Sequence, residues 1–180
     1  MSSQQLGSHL LQSCLATFES QKKLADRSLG QIDDGGLFWT PSPESNSIAV
    51  IVRHLSGNLK SRWTDFLTAD GEKPDRNRDG EFELPPGTDR QAVLSGWEEG
   101  WAALRTAFDS LQPEDLLGTV LIRGERHTVV EAIQRQVAHF SHHVGQIVYA
   151  AKAYRSGDWH TLSIPRGGSD AFNEAKRSGG

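Results

Sequence analysis

Apolar residues recur at three- and four-residue steps in four long segments of the chain. Such spacing places them on one face of a helix and so predicts four amphipathic α-helices. The second segment begins with the apolar run IAVIV, which is also compatible with a buried strand, but its continuation to Leu67 favours a helix. Four such helices joined by polar segments predict an all-α fold, a four-helix bundle. The predicted helices cover about residues 10–29, 47–67, 89–111 and 128–155.

The segments between the predicted helices are rich in residues that interrupt regular structure. Residues 30–45 and 68–87 are interpreted as loops, and the second is long and charged. Loops of that length usually carry function or lack order. A short hairpin is expected around Gly124, over residues 119–126, and a short helix over residues 170–176.

Composition removes several classes of protein. The chain has 180 residues, which suits a single domain over 1–173 followed by a tail, 174–180, that is expected to be disordered. The lone Cys14 excludes an internal disulfide and a Cys-rich metal site, so a reducing, cytoplasmic location is expected. No run of about 18 apolar residues could span a membrane, and the N-terminus lacks the pattern of a secretory signal. A net charge of −4 gives no basic surface, so nucleic acid is not an expected partner and neither is a membrane.

Histidine supplies the candidate chemistry, because three of the seven histidines fall in the sequence HFSHH of the fourth predicted helix. His139 and His143 are four residues apart, so they lie one turn apart on the same face, about 40° from each other. Two imidazoles in this arrangement can bind one metal ion. His142 points to the other side of the helix and is expected to be solvated.

The second predicted helix carries a polar line beside its apolar stripe, formed by His54, Asn58, Arg62 and Asp65. If this helix faces the fourth, His54 lies opposite the pair His139 and His143. Three neutral imidazoles with open coordination positions are typical of a catalytic divalent-metal site rather than a closed structural one. The alternative is that these histidines are exposed or hydrogen-bonded residues at helix edges.

Two further residues are candidates for the surroundings of this site. Gln146 follows His143 by one turn, where it could hold an imidazole in one tautomer or be an ordinary surface residue. His160 lies in the segment WHTLSIPRGG, which could fold over one end of the helices and bring this side chain near the site.

Four stretches of the chain carry a more specific signal: NSIAVIVRHLSGNL (46–59), RWTDFLTADGEKPDRNRDGEFE (62–83), HFSHHVGQI (139–147) and HTLSIPRGGSDAFN (160–173). Together they resemble the DinB/YfiT-like superfamily, in particular a subgroup of small bacterial proteins of unknown function. The resemblance implies an up-and-down-type four-helix bundle with a crossover connection. It also implies a divalent metal, zinc or nickel foremost, held by one histidine of the second helix and two of the fourth. These positions correspond to His54, His139 and His143.

The resemblance further implies an enzyme with a small-molecule substrate. The superfamily includes metal-dependent transferases and isomerases that use low-molecular-weight thiols. A thiol bound to such a metal is deprotonated and becomes a nucleophile, whereas a bound water with a lowered pKa would make the protein a hydrolase. A third interpretation is a non-catalytic, metal-binding homodimer. The aromatic stripe Trp97, Trp101 and Phe108 is typical of a core, although an exposed part of it could form the contact between subunits.

A polar, anionic thiol cofactor needs cationic groups to bind it. Arg62, Arg76 and Arg78 are candidates, because guanidinium binds carboxylate and phosphate bidentately. The alternative is that these arginines belong to a solvated loop and pair locally with its acidic residues, Glu81 among them.

Overall fold

The computed structural model describes residues 2–178, and within them the protein is mostly helical. A hairpin of β1 (Thr119–Ile122) and β2 (Glu125–Thr128) and 3-10 helices at Asp79–Phe82, Pro113–Leu117 and Ser156–Asp158 complete the regular structure. The all-α class expected from the sequence is confirmed. The α-helices are α1 (Ser3–Leu29), α2 (Asp34–Phe38), α3 (Ile48–Trp63), α4 (Arg90–Ser110), α5 (Val129–Arg155) and α6 (Ser169–Ser178).

The long helices begin where a side chain satisfies the free N–H groups of the first turn. Thr128 and Glu131 form the capping box that the sequence predicts at the start of α5. Ser47 caps α3. α1 begins well before residue 10, because Ser2 and Gln5 form a second capping box there.

The end of α3 starts the long connection to α4. The helical interpretation of IAVIV is confirmed, but α3 ends at Trp63 rather than at Leu67. Thr64 is extended and Asp65 has a φ of 49°, in the left-handed region that non-glycine residues rarely adopt. These two residues turn the chain out of the helix into residues 64–89, called the crossover below.

α3 and α4 lie side by side and run in the same direction. Gly100 lies against Ser56, and further along both helices the rings of Trp63 and Phe108 are 5.3 Å apart. A Cβ on Gly100 would be only 3.1 Å from Cα of Ser56, so glycine permits the close approach of the two backbones. Because the helices are parallel, the crossover has to return along their length.

α5 runs antiparallel to α3 and parallel to α1. His54 of α3 lies beside His143 of α5, and one turn later Asn58 accepts a hydrogen bond from Gln136, which precedes His143. Phe18 of α1 contacts Phe140 of α5. Beyond the end of α1, the carboxylate of Asp33 accepts a hydrogen bond from Tyr154, near the end of α5. The face of α3 that carries the polar line therefore meets the face of α5 that carries the histidine pair.

The core between the long helices is aromatic. Phe18 and Phe140 are fully buried and pack edge to face. Trp97, Trp101 and Phe108 are also buried, with at most 7% of their surface exposed. Such aromatic clusters contribute large apolar areas together with specific edge-to-face contacts. The interpretation of this stripe as part of the core is therefore confirmed, and the homodimer stays a prediction.

The remaining segments differ in detail from the expectations. Residues 30–45 include the short helix α2, capped by Asp33, where only a loop is predicted. The hairpin forms as expected and turns at Arg123 and Gly124, which have φ values of 57° and 75°. Among residues 2–178, no helix combines the length and the apolar character needed to cross a membrane.

At the C-terminus, α6 contains the helix expected over residues 170–176 and extends it to Ser178. It therefore includes residues 174–178, which the sequence assigns to a disordered tail. Most of its side chains are exposed and none is buried. Residues 179 and 180 lie outside the described residues.

Candidate metal centre

Three histidines from two antiparallel helices meet at one point. The ring centroid of His54 is 5.3 Å from that of His139 and 5.0 Å from that of His143, and the latter two are 4.6 Å apart. One nitrogen from each ring can be chosen so that the three lie within 4.8 Å of one another. The structure thus brings together the three residues that helical spacing singled out, close enough to hold one ion.

His139 has a ring nitrogen with no partner inside the protein. Its Nε2 is buried and, among the described residues, makes no hydrogen bond. Burial, with the neighbouring His143 and His54, lowers the pKa of His139 from 6.5 to about 3. The ring is therefore neutral at pH 7 and carries a free lone pair, as a metal ligand requires. A buried polar atom without a partner is costly, and a bound cation would satisfy it.

His143 lies at the half-buried edge of the cluster. Its Nδ1 is 2.7 Å from Oε1 of Gln146, and the amide oxygen can only accept, so Nδ1 carries the proton and Nε2 is free. Burial lowers the pKa of His143 as well. The sequence allowed Gln146 to be either a partner of an imidazole or a surface residue. In the structure it is a hydrogen-bond partner of His143. His142 is exposed, as expected.

His54, the most buried of the three, is contacted from the crossover. Its Nδ1 is 2.8 Å from Oε2 of Glu81, so Nδ1–H donates to the carboxylate and Nε2 is free. The ring of Phe82 stacks on the imidazole, with centroids 4.8 Å apart. Neither contact was foreseen, because nothing in the spacing of Glu81 or Phe82 links a loop residue to a particular helix position.

Glu81 is itself held by an arginine. Arg76 donates from Nε to Oε1 of Glu81 at 2.7 Å and from Nη2 to Oε2 at 2.9 Å. Burial by itself would raise the pKa of Glu81, but hydrogen bonds from His54 and Arg76 outweigh it and hold that pKa below its usual range. The carboxylate is therefore ionised where it contacts the imidazole of His54.

The arginines considered as cofactor anchors have different surroundings. The side chains of Arg76 and Arg62 are only 4% and 8% exposed, and both pair with Glu72. The local pairing left open by the sequence therefore holds for both, inside the protein rather than in solvent, and Nη1 of Arg62 is left without a hydrogen-bond partner among the described residues. Arg78 is half exposed and lies over the ring of Phe82, 5.4 Å from its centroid.

Two other candidates lie outside the cluster. Asn58 is buried one turn from His54 and is engaged with Gln136. His160 is exposed, and its backbone exchanges hydrogen bonds with Gln31 just after α1. The tail segment does fold against the helices, but it brings His160 to the end of α1, and His160 is not part of the three-histidine group.

A cavity of about 800 Å³ lies next to the histidines, between α3, α4 and the crossover. Arg76 and Glu81 line it, together with Gly57, whereas none of the three histidines does. The Arg76–Glu81 pair therefore forms a wall shared by the cavity and the histidine cluster.

The fold and the site define a mostly helical protein in which three histidines lie close enough together to hold one metal ion. The chain belongs to the family described as "Protein of unknown function (DUF1572)", whose model matches residues 5–168. No curated protein and no solved structure matches the chain.

Proposed function

We propose that this protein is a divalent-metal-dependent enzyme of the DinB/YfiT-like superfamily, with a four-helix-bundle fold. The family match over residues 5–168 supports this assignment, as does the arrangement of the long helices. α3 and α4 are parallel, α5 runs against α3, and the crossover joins the parallel pair, as a bundle with one crossover connection requires.

The observation that carries the proposal is the set of three free imidazole nitrogens, with buried Nε2 of His139 lacking any other partner. Histidine binds a metal as a neutral imidazole, so three such ligands would leave a bound divalent ion its full charge. Three protein ligands also leave coordination positions open for a substrate, as in catalytic zinc sites. Imidazole suits zinc and nickel equally well, and these are the ions proposed.

We propose further that the reaction is a thiol S-transfer with a low-molecular-weight thiol as cofactor. A divalent ion at this site would deprotonate a coordinated thiol and so supply a nucleophile. The protein has no thiol of its own there: Cys14, on α1, is outside the histidine group, and burial raises the pKa of its thiol. The thiol must therefore come from a small molecule.

The charges around the histidines suit an anionic ligand. Burial and the neighbouring histidines have the largest effects on the pKa of His139, and the positive charges of Arg62 and Arg76 lower it further. The same two positive charges would attract a thiolate, and the carboxylates of Glu72 and Glu81, with which they pair, offset part of that attraction. The half-buried edge at His143 and Gln146 is the side from which a small molecule can approach.

The proposal is tested with protein purified without chelator. Metal analysis should find one zinc or nickel ion per chain, and consumption of bacillithiol, mycothiol or glutathione with a generic alkylating electrophile should require both protein and metal. His139→Ala should abolish turnover, and His142→Ala should retain it. Ester hydrolysis without thiol would replace the transferase by a hydrolase, and bound metal with neither activity would leave only a metal-binding protein.

A further inference from the structure

Two side chains of the crossover contact the ring of His54. Glu81 accepts the hydrogen bond from Nδ1–H, and Phe82, over whose ring Arg78 lies, stacks on one face. Glu81 is 27 positions from His54 along the chain. A loop that only connected α3 to α4 would have no need of these contacts.

The carboxylate of Glu81 is also fixed from its other side. Arg76 binds both of its oxygens, and the side chains of the pair are 4% and 8% exposed. Arg76 alone would neutralise the buried charge of Glu81. The hydrogen bond from His54 is therefore not needed to stabilise the carboxylate.

Helix α3 is shaped to let the carboxylate reach His54. Gly57 lies one turn after His54, and a Cβ at this position would overlap Oε1 of Glu81. A side chain on Gly57 would therefore displace the carboxylate. Glycine lowers helix stability by about 0.5–1 kcal/mol relative to alanine, and here its lack of a side chain permits a specific contact.

We propose that Glu81 is a positioning residue of the metal centre: by accepting the hydrogen bond from Nδ1–H, it fixes the ring orientation and tautomer of His54 that turn Nε2 toward His139 and His143. Metal-bound histidines commonly have such a partner on the second ring nitrogen, and the partner also raises ligand basicity. The role of Glu81 as a positioning residue rests on the proposed metal site. Its effect on the ring of His54 exists without a metal.

The first test therefore uses metal-free protein. Nitrogen NMR of the imidazole rings should show His54 as the Nδ1–H tautomer in the wild type and as a mixture in Glu81→Ala. Glu81→Gln keeps an amide oxygen that can accept from Nδ1–H, so it should restore the wild-type tautomer. Glu83→Gln is the matched control, because Glu83 is exposed and its side chain makes no hydrogen bond or ion pair among the described residues. An unchanged tautomer in folded Glu81→Ala would overturn the proposal.

The second test measures zinc affinity by competition with a chelator. Loss of such a partner typically weakens metal binding by about 10–100-fold, and Glu81→Ala should fall in this range, with Glu81→Gln less affected and Glu83→Gln unchanged. Gly57→Ala should also weaken binding while leaving every charge in place. It keeps the proposal testable should Glu81→Ala not fold.

The two measurements separate the two claims. A wild-type protein that binds neither zinc nor nickel would refute the proposed function, and the tautomer of His54 would still report on Glu81. Wild-type zinc binding with an affinity unchanged, within about twofold, in both Glu81→Ala and Gly57→Ala would refute the positioning role alone.

Discussion

At the scale of single residues, each of the three histidines keeps one ring nitrogen free of hydrogen bonds among the described residues, for different reasons. His54 and His143 each commit Nδ1 to an acceptor, Glu81 in one case and Gln146 in the other, so Nε2 is left free. His139 has its Nε2 buried without a hydrogen-bond partner among the described residues. Each histidine therefore has a ring nitrogen that is not committed to a hydrogen bond among the described residues, and removal of any one imidazole should leave too few ligands for tight binding.

His139→Ala and His143→Ala should each abolish tight binding of one divalent ion per chain. The helical circular dichroism signal should largely survive, because α5 has an extensive apolar face away from these side chains. His142→Ala is the matched control from the same helix and should keep the ion. Full metal content in both His139→Ala and His143→Ala would refute the site, and loss of the ion in His142→Ala would show that the assigned face of α5 is wrong.

At the scale of elements, the helices and the histidine cluster were predictable, and the crossover contacts were not. The helix repeat places His139 and His143 on one face of α5, and it places the polar line on one face of α3. Once α3 and α5 face each other, residue spacing is enough to predict the histidine cluster. Glu81 and Arg76 lie in an aperiodic loop, where position along the chain says nothing about neighbours in space. The left-handed conformation of Asp65, just after the early end of α3, is likewise not indicated by any sequence pattern.

The parallel packing of α3 and α4 can be tested with two glycines of the same helix. A Cβ at Gly100 would be 3.1 Å from backbone atoms of Ser56, whereas a Cβ at Gly96 would have nothing within 4 Å. Gly96→Ala should therefore stabilise the protein by about 0.5–1 kcal/mol through helix propensity. Gly100→Ala should destabilise it by about 1 kcal/mol, since the helices must separate.

Urea unfolding followed by circular dichroism measures both free energies. The comparison is internal, because both changes add the same methyl group to α4. Equal stabilisation by the two substitutions would show that α3 and α4 do not pack closely at Gly100.

At the scale of the whole molecule, the crossover connects three features that are separate along the chain. It joins the parallel helices α3 and α4, closes over the cavity between them, and reaches His54 through Glu81. Any ion that binds the folded protein and not the unfolded chain stabilises folding as a whole. Metal binding should therefore stabilise the crossover together with the helices, because the ligand His54 lies on α3 and is hydrogen-bonded to Glu81 of the crossover.

The stability of the metal-free protein should also depend on pH in a direction set by the site. Burial first, with the neighbouring His143 and His54, lowers the pKa of His139 from 6.5 to about 3 in the folded state, and burial lowers that of His143 too. The unfolded chain then binds more protons than the folded protein between these values, so the free energy of unfolding falls as pH decreases from about 6.5 toward 3. Urea unfolding at pH 7 and pH 5 should show this loss. His139→Gln, which cannot titrate, should reduce the loss, and His142→Gln should not. Identical pH dependence in the wild type and His139→Gln would show that His139 is not held neutral by burial.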